Sequence, residues 1–263
     1  MNSTNHQRRK MNTLFLMMVI VCVVVSTIYT QFNILDLVNN FDQFIYFLTH
    51  DFLPPAMLDK ETWLEVSHSI VITIAMAILS TTVAGIFAFF VSLFGSEYIS
   101  PFPKICKYIR GVATFLRNIP ALVWAFILFS SLGIGTGVGV VALFMTSFAF
   151  MIRAFIETID EVSQDCIESL AVVGATFWQR VFQGIVPTCI SGFISWFLYC
   201  FEVNIRSSTI VGMVGGGGVG LVLFSYLKGF HYNIATTIIL IIAIMVILVD
   251  ILTGYLRRKL VSD

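Results

Sequence analysis

Apolar residues fill six long blocks of this chain, at 14–30, 69–94, 119–132, 140–156, 187–205 and 234–255, and the charged residues gather between them. Blocks of this length suit an α-helix crossing the hydrocarbon of a bilayer, so the pattern predicts an all-α, polytopic membrane protein with about six transmembrane helices. The segment 31–65 carries Asp36, Asp42, Asp51, Asp59, Glu61 and Glu65 against Lys60 alone. Within it Ile34, Leu37, Val38, Phe41, Phe44, Ile45 and Leu48 recur at helical spacing, which predicts an amphipathic helix on the outer membrane surface, ended by Pro54-Pro55. Pro120 should kink or restart the third helix. The glycine-dense run 212–220 interrupts the apolar pattern before a short apolar stretch, 221–227. Between 157 and 186 charged and apolar positions alternate at the helical period, so this stretch reads as a loop and not as a span.

Composition agrees with bilayer as the main solvent. Hydrophobic residues make up 58% and charged residues 11% of the chain, where soluble domains carry roughly 25% charged residues. The net charge of zero gives no electrostatic footprint for nucleic acid. Cationic residues near span ends are retained on the cytoplasmic side. Twelve of the fifteen, at 8, 9, 10, 104, 107, 110, 117, 153, 180, 257, 258 and 259, then share that side, Lys60 and Lys228 lie opposite, and Arg206 falls in or near the membrane. Both termini are therefore expected in the cytoplasm of a multi-pass plasma-membrane protein, with 31–66 external and 157–186 cytoplasmic. Arg8-Arg9-Lys10 before the first block imitates a signal peptide, but no small-x-small cleavage site follows, so it reads as a retained helix. The five cysteines form no CxxC pair and His6, His50, His68 and His231 are dispersed, which indicates neither a disulfide framework nor a metal site. No cofactor is expected.

An amphipathic cytoplasmic loop of this length needs a partner for its apolar face. It reads Glu168-Ser169-Leu170-Ala171-Val172-Val173-Gly174-Ala175-Thr176, then Phe177, Trp178, Val181 and Phe182, and ends Ile185-Val186-Pro187. Small side chains at Ser169 and Ala171 let another surface come close, Gly174 can end the helix in a turn, and Pro187 can open the next span without losing a needed N–H. This stretch resembles the EAA loop of ABC-importer permeases, with Ser169-Leu170 standing where that motif usually has paired alanines. The resemblance implies a type I, MetI-like permease fold over a single transmembrane domain, 1–263. It also implies a coupling helix held in a groove of a separate ATPase subunit, with Glu168 docking on that partner. The alternative from the residues is an inter-span loop packed on its own protein.

Three further blocks extend the resemblance to phosphonate-type permeases and their phosphite-linked relatives: Phe52-Leu53-Pro54-Pro55, Arg117-Asn118-Ile119-Pro120-Ala121-Leu122-Val123-Trp124-Ala125, and the stretch from Phe201 through Gly220. In the last, Arg206 is a charge inside an apolar run, with Glu202 one turn earlier. Two readings stay open. Either the two form a salt bridge, or Arg206 and Asn204, with the hydroxyls of Ser207, Ser208 and Thr209, help an oxyanion across, since a guanidinium suits phosphonate geometry. Of the glycines Gly212, Gly215, Gly217, Gly218 and Gly220, the run Gly215 to Gly220 fits the letters of a GxGxxG fingerprint, but no strand precedes these residues. They suit a broken helix beside the pathway, or a close helix contact. Arg117 reads as an interfacial anchor.

The resemblance thus implies a permease subunit carrying a small anionic solute, phosphonate or phosphite, across the membrane. Its expected partners are an ABC ATPase, an extracytoplasmic solute-binding protein, a second permease copy and membrane lipid. Another solute such as an amino acid, or a non-transporting membrane scaffold, are the alternatives. An enzyme is not expected: no GxxxxGK[ST] loop, GxSxG or HExxH is present, so no catalytic residue is assigned and ATP hydrolysis falls to another subunit.

Overall fold

The structure, a computed structural model, describes residues 2–162 and 164–262. The chain falls into two compact units, Met1–Pro54 and Pro55–Asp263. In the first, helix α1 (Asn2–Thr30) contains one apolar stretch of span length, Lys10–Thr30, whose side chains are exposed along its length, as suits a lipid-facing helix. The amphipathic segment that follows is broken where a single helix was expected. It comprises α2 (Ile34–Asn39), α3 (Phe41–Tyr46) and a π-helical turn, Phe47–Phe52, and stops at Pro54-Pro55.

The second unit is built on four long helices, α4 (Lys60–Gly95), α7 (Thr136–Val162), α10 (Val186–Val211) and α12 (Tyr232–Ser262). Asp59 caps α4, accepting from the Thr62 N–H at 3.3 Å. Lipid tails are as apolar as the side chains, so close packing and internal hydrogen bonds must join these helices in place of the hydrophobic effect. The buried face of α4 is accordingly rich in small residues, among them Ala77, Ser80, Thr81, Ala84, Ala88 and Ser92. Ala84 and Ala88 share a core with Met151, Phe155 and Ile156 of α7 and with Cys189 and Phe193 of α10. Buried hydroxyls bond carbonyls of their own helix: Thr73 to Ser69 at 2.8 Å, Ser80 to Met76 at 2.7 Å and Thr158 to Ala154 at 2.9 Å.

Among the described residues five helices are long and apolar enough to span, and the third predicted span differs from them. There α5 (Pro103–Arg117) and α6 (Ala121–Leu132) meet at 85°, with Pro120 in extended geometry between them. Proline lacks the N–H that would carry the helix on, so the predicted kink is a full break. The 12 residues of α6 reach about 18 Å, short of a bilayer.

The loop expected at 157–186 is shorter than its pattern. Helix α7 continues to Val162, and helical backbone resumes at α9 (Phe177–Gln179), passes through a π-helical stretch, Arg180–Ile185, and runs directly into α10. Only α8 (Gln164–Val172) and its following turn stand apart. Past α10 a π-helical turn, Gly212–Gly216, leads into α11 (Gly218–Lys228), which packs through Val219, Val222 and Leu223 on Val66 of α4 and on Ala235 and Ile238 of α12.

Candidate functional site

The first predicted cluster forms an outward handle. One side of α8 packs inward through Ile167 and Leu170, the latter lying over Gly184 ahead of α10. Glu168 and Ser169 face outward, followed by Val172 and Val173, 88% and 77% exposed. The Ala171 side chain lies outside the described residues. Gly174 reverses the chain at φ +78°, a backbone region costly for a residue with a Cβ, and Thr176 then opens the next helix in a reciprocal cap with Gln179. Trp178 and Phe182 are also exposed, and Pro187 sits exposed in the first turn of α10. The handle is therefore a short helix with a mixed polar and apolar outer face, held between two span-length helices.

The second cluster begins sixteen residues into α10 and does not touch the first. Glu202 and Arg206 form the predicted salt bridge, and Arg257 of α12 approaches the other Glu202 oxygen at 3.7 Å. Glu202 is sheltered, its side chain 12% exposed, whereas that of Arg206 is 53% exposed. Asn204 points elsewhere. It is buried, 2% exposed, and its amide meets the hydroxyls of Thr81 at 2.8 Å and Ser147 at 2.7 Å, tying α10 to α4 and α7. Ser208 bonds the Ile205 carbonyl, and the Thr209 hydroxyl is buried with no partner among the described residues.

The glycines do converge. Val214 and Gly215 leave helical geometry, and Gly215 (φ +101°) and Gly217 (φ +79°) turn the chain into α11. A Cβ on Gly220 would overlap the Thr209 carbonyl, and one on Gly212 would overlap that of Gly217. The knot is fixed from outside by Thr73, whose hydroxyl accepts from the Val219 N–H at 2.9 Å, and by the Gly215 carbonyl, which accepts from Gly135 at 2.9 Å. Irregular backbone is thus enclosed by protein, as membrane depth requires.

Two features escape the sequence. The charge pattern assigns Arg117 to the membrane interface, whereas the α5–α6 break brings it to a cavity of about 200 Å³ with Thr146, Ser147, Tyr199, Asn204 and Ser207. Thr146 and Ser147 inside the otherwise apolar run 138–152 of α7 were the available signal. Arg110, expected only as one of several loop cations, pairs with Asp160 at the end of α7; its Nε also donates to the Gly95 carbonyl at 2.9 Å, and Ser96 donates to Asp160 at 2.6 Å. This cluster joins the ends of α4 and α7 to α5. Among the described residues no three His, Cys, Asp or Glu side chains gather as metal ligands do.

The profile of the family described as binding-protein-dependent transport system inner membrane component matches residues 88–262. The chain belongs to this family. The matched residues of this permease hold α8, the glycine knot and the polar cavity. It is 31% identical over 211 residues to the phosphite transport system permease protein PtxC of Stutzerimonas stutzeri, covering 80% of this permease and 76% of that one. It is 28% identical over 189 residues to the phosphate-import permease protein PhnE of Mycolicibacterium smegmatis, covering 72% of this permease and 36% of that longer chain. Among solved structures, an inward-facing form of the MetNI methionine ABC transporter superimposes with a TM-score of 0.68 at 19% identity, over 77% of this permease and 99% of that chain. The expected all-α, MetI-like permease fold is therefore borne out, with its third span broken.

Proposed function

We propose that this permease is the membrane subunit of an ABC importer that carries a small oxyanion of the phosphite, phosphonate or phosphate class into the cell. The observation that carries the reading is α8: a short, outward-facing helix between two span-length helices, inside the region that matches the family. In this reading the whole chain, 1–263, works as one permease domain, and 157–186 is its cytoplasmic coupling segment. Glu168, Ser169, Ala171 and Gly174 meet a separate ATPase, and Pro187 passes its closure to α10. A solute-binding protein delivers cargo at the outer face, and a second copy of the chain completes the pathway. Both termini are cytoplasmic. Glu202, Asn204 and Arg206 to Thr209 form the pathway wall with the glycines Gly212, Gly215, Gly217, Gly218 and Gly220. The phosphate and phosphite for which the two relatives are named support the oxyanion, and a guanidinium near the wall suits its geometry.

The test is uptake by proteoliposomes holding this chain with an ABC ATPase and a solute-binding protein from the same organism. ATP-dependent accumulation of labelled phosphite, phosphonate or phosphate is the expected result. Accumulation of an amine or amino acid instead would reject the oxyanion, and failure to co-purify with any ATPase would reject the importer.

A further inference from the structure

The cavity that holds Arg117 lies well inside the membrane-spanning helices. Ser147 stands eleven residues into α7, about 16 Å from its start, and Asn204 eighteen residues into α10, about 27 Å along it. Both positions are interior to their helices, and the cavity of about 200 Å³ between them is large enough for a small dehydrated oxyanion. Its wall sets the polar side chains of Thr146, Ser147 and Ser207 among apolar ones such as Phe150 and Val203. The Asn204 amide locks the Ser147 hydroxyl in place, and Ser207 stands one turn beyond Val203 on the same side of α10.

The cation sets this cavity apart. In the second unit Arg110 meets Asp160, Arg153 meets Glu157, and Arg206 and Arg257 meet Glu202; Arg180 and Arg258 donate to the Ala175 and Gly254 carbonyls. Among the described residues Arg117 alone of these arginines has neither an ion pair nor a side-chain hydrogen bond. An exposed, unpaired guanidinium beside span-length helices is costly against hydrocarbon, so it must face a polar space or a mobile counter-charge. A tetrahedral oxyanion matches the forked donors of that guanidinium. Its remaining oxygens would meet the hydroxyls of Ser207 and Ser147, whose donors are not used in any hydrogen bond to the described residues.

We propose that this cavity is an oxyanion subsite within the membrane, with Arg117 as its charge and Ser147 and Ser207 completing the shell. The proposal rests on the importer reading and adds to it the residues that hold the solute in transit. It also divides the two arginines: Arg206 is already neutralised by Glu202, and Arg117 is the one free to take up an anion.

Arg117→Gln, Arg117→Lys and Ser207→Asp would be compared with wild type in the reconstituted complex, measuring initial uptake against phosphite concentration and the yield of co-purified ATPase. Arg117→Gln should raise the phosphite KM by about tenfold or more, the loss expected for a charge-assisted contact, and Arg117→Lys should recover part of it. Ser207→Asp, which sets a carboxylate in the cavity, should cut uptake to about a tenth or less at unchanged ATPase yield. Should Arg117→Gln fail to assemble, Ser207→Asp decides alone. Wild-type KM in Arg117→Gln, or wild-type uptake in Ser207→Asp, would overturn the subsite and leave the importer standing. A wild-type complex that accumulates no oxyanion at all overturns both.

Discussion

Asn204 shows how a polar side chain is kept at membrane depth, since one amide satisfies hydroxyls on two neighbouring helices. Asn204→Leu removes both contacts and leaves Thr81 and Ser147 facing an apolar group, so it should lower stability by about 2 kcal/mol. Thermal unfolding of the purified chain in detergent reads this directly. Glu202 makes a second, asymmetric case. It serves Arg206 and Arg257 from a sheltered position, whereas Arg206 is largely open. Glu202→Gln strands two cations and should cost about 1–2 kcal/mol after discounting for the exposure of Arg206, while Arg206→Gln costs less. The i,i+4 spacing makes this pair legible in the sequence. Arg257 is not legible, because it is 55 positions away and reaches Glu202 only through the antiparallel packing of α10 and α12.

At the scale of elements, the apolar blocks announce every long helix, because length and hydropathy alone decide what can span. What they cannot announce is how a break is used. Pro120 marks the α5–α6 corner, but the 85° angle depends on what each half packs against, and that angle moves Arg117 from an expected interface to the polar cavity. The glycine run is legible as an interruption; the knot it forms depends on Thr73, well over a hundred residues earlier. Two glycine substitutions separate the roles. Gly220→Ala drives a methyl into the Thr209 carbonyl and should destabilise by about 3 kcal/mol. Gly111→Ala, in α5 with nothing within 4 Å, should stabilise by about 0.5–1 kcal/mol in the same unfolding assay. For α8 the outcome is read on the partner. Glu168→Arg reverses the charge on the outer face of the handle and should lower ATPase co-purification about tenfold.

The whole molecule combines full-length and half-length helices, and the orientation proposed for it rests on charge. Helices α6 and α11, with 12 and 11 residues, reach about 18 and 16 Å, too short to cross alone. They meet the glycine knot from two sides, Phe129 of α6 lying against Gly215, so that enclosed irregular backbone stands where two half-helices end. In the proposed importer the cationic bias places α8 on the cytoplasmic side, together with the Arg110–Asp160 cluster that joins the ends of α4, α5 and α7. Any closure imposed on α8 would then reach the α10 start through the packing of Leu170 over Gly184, and any movement of the α7 end would pass to α4 and α5 through Asp160. This arrangement requires one sidedness, which can be checked without knowing the solute. Val173→Cys and Met57→Cys each place a thiol at an exposed position, one after α8 and one before α4. A membrane-impermeant maleimide should label Met57→Cys in intact cells and Val173→Cys only in inverted vesicles, over the background of the native cysteines. Labelling of Val173→Cys from outside intact cells would put the handle beyond the reach of any cytoplasmic ATPase, and the importer reading would fall with it.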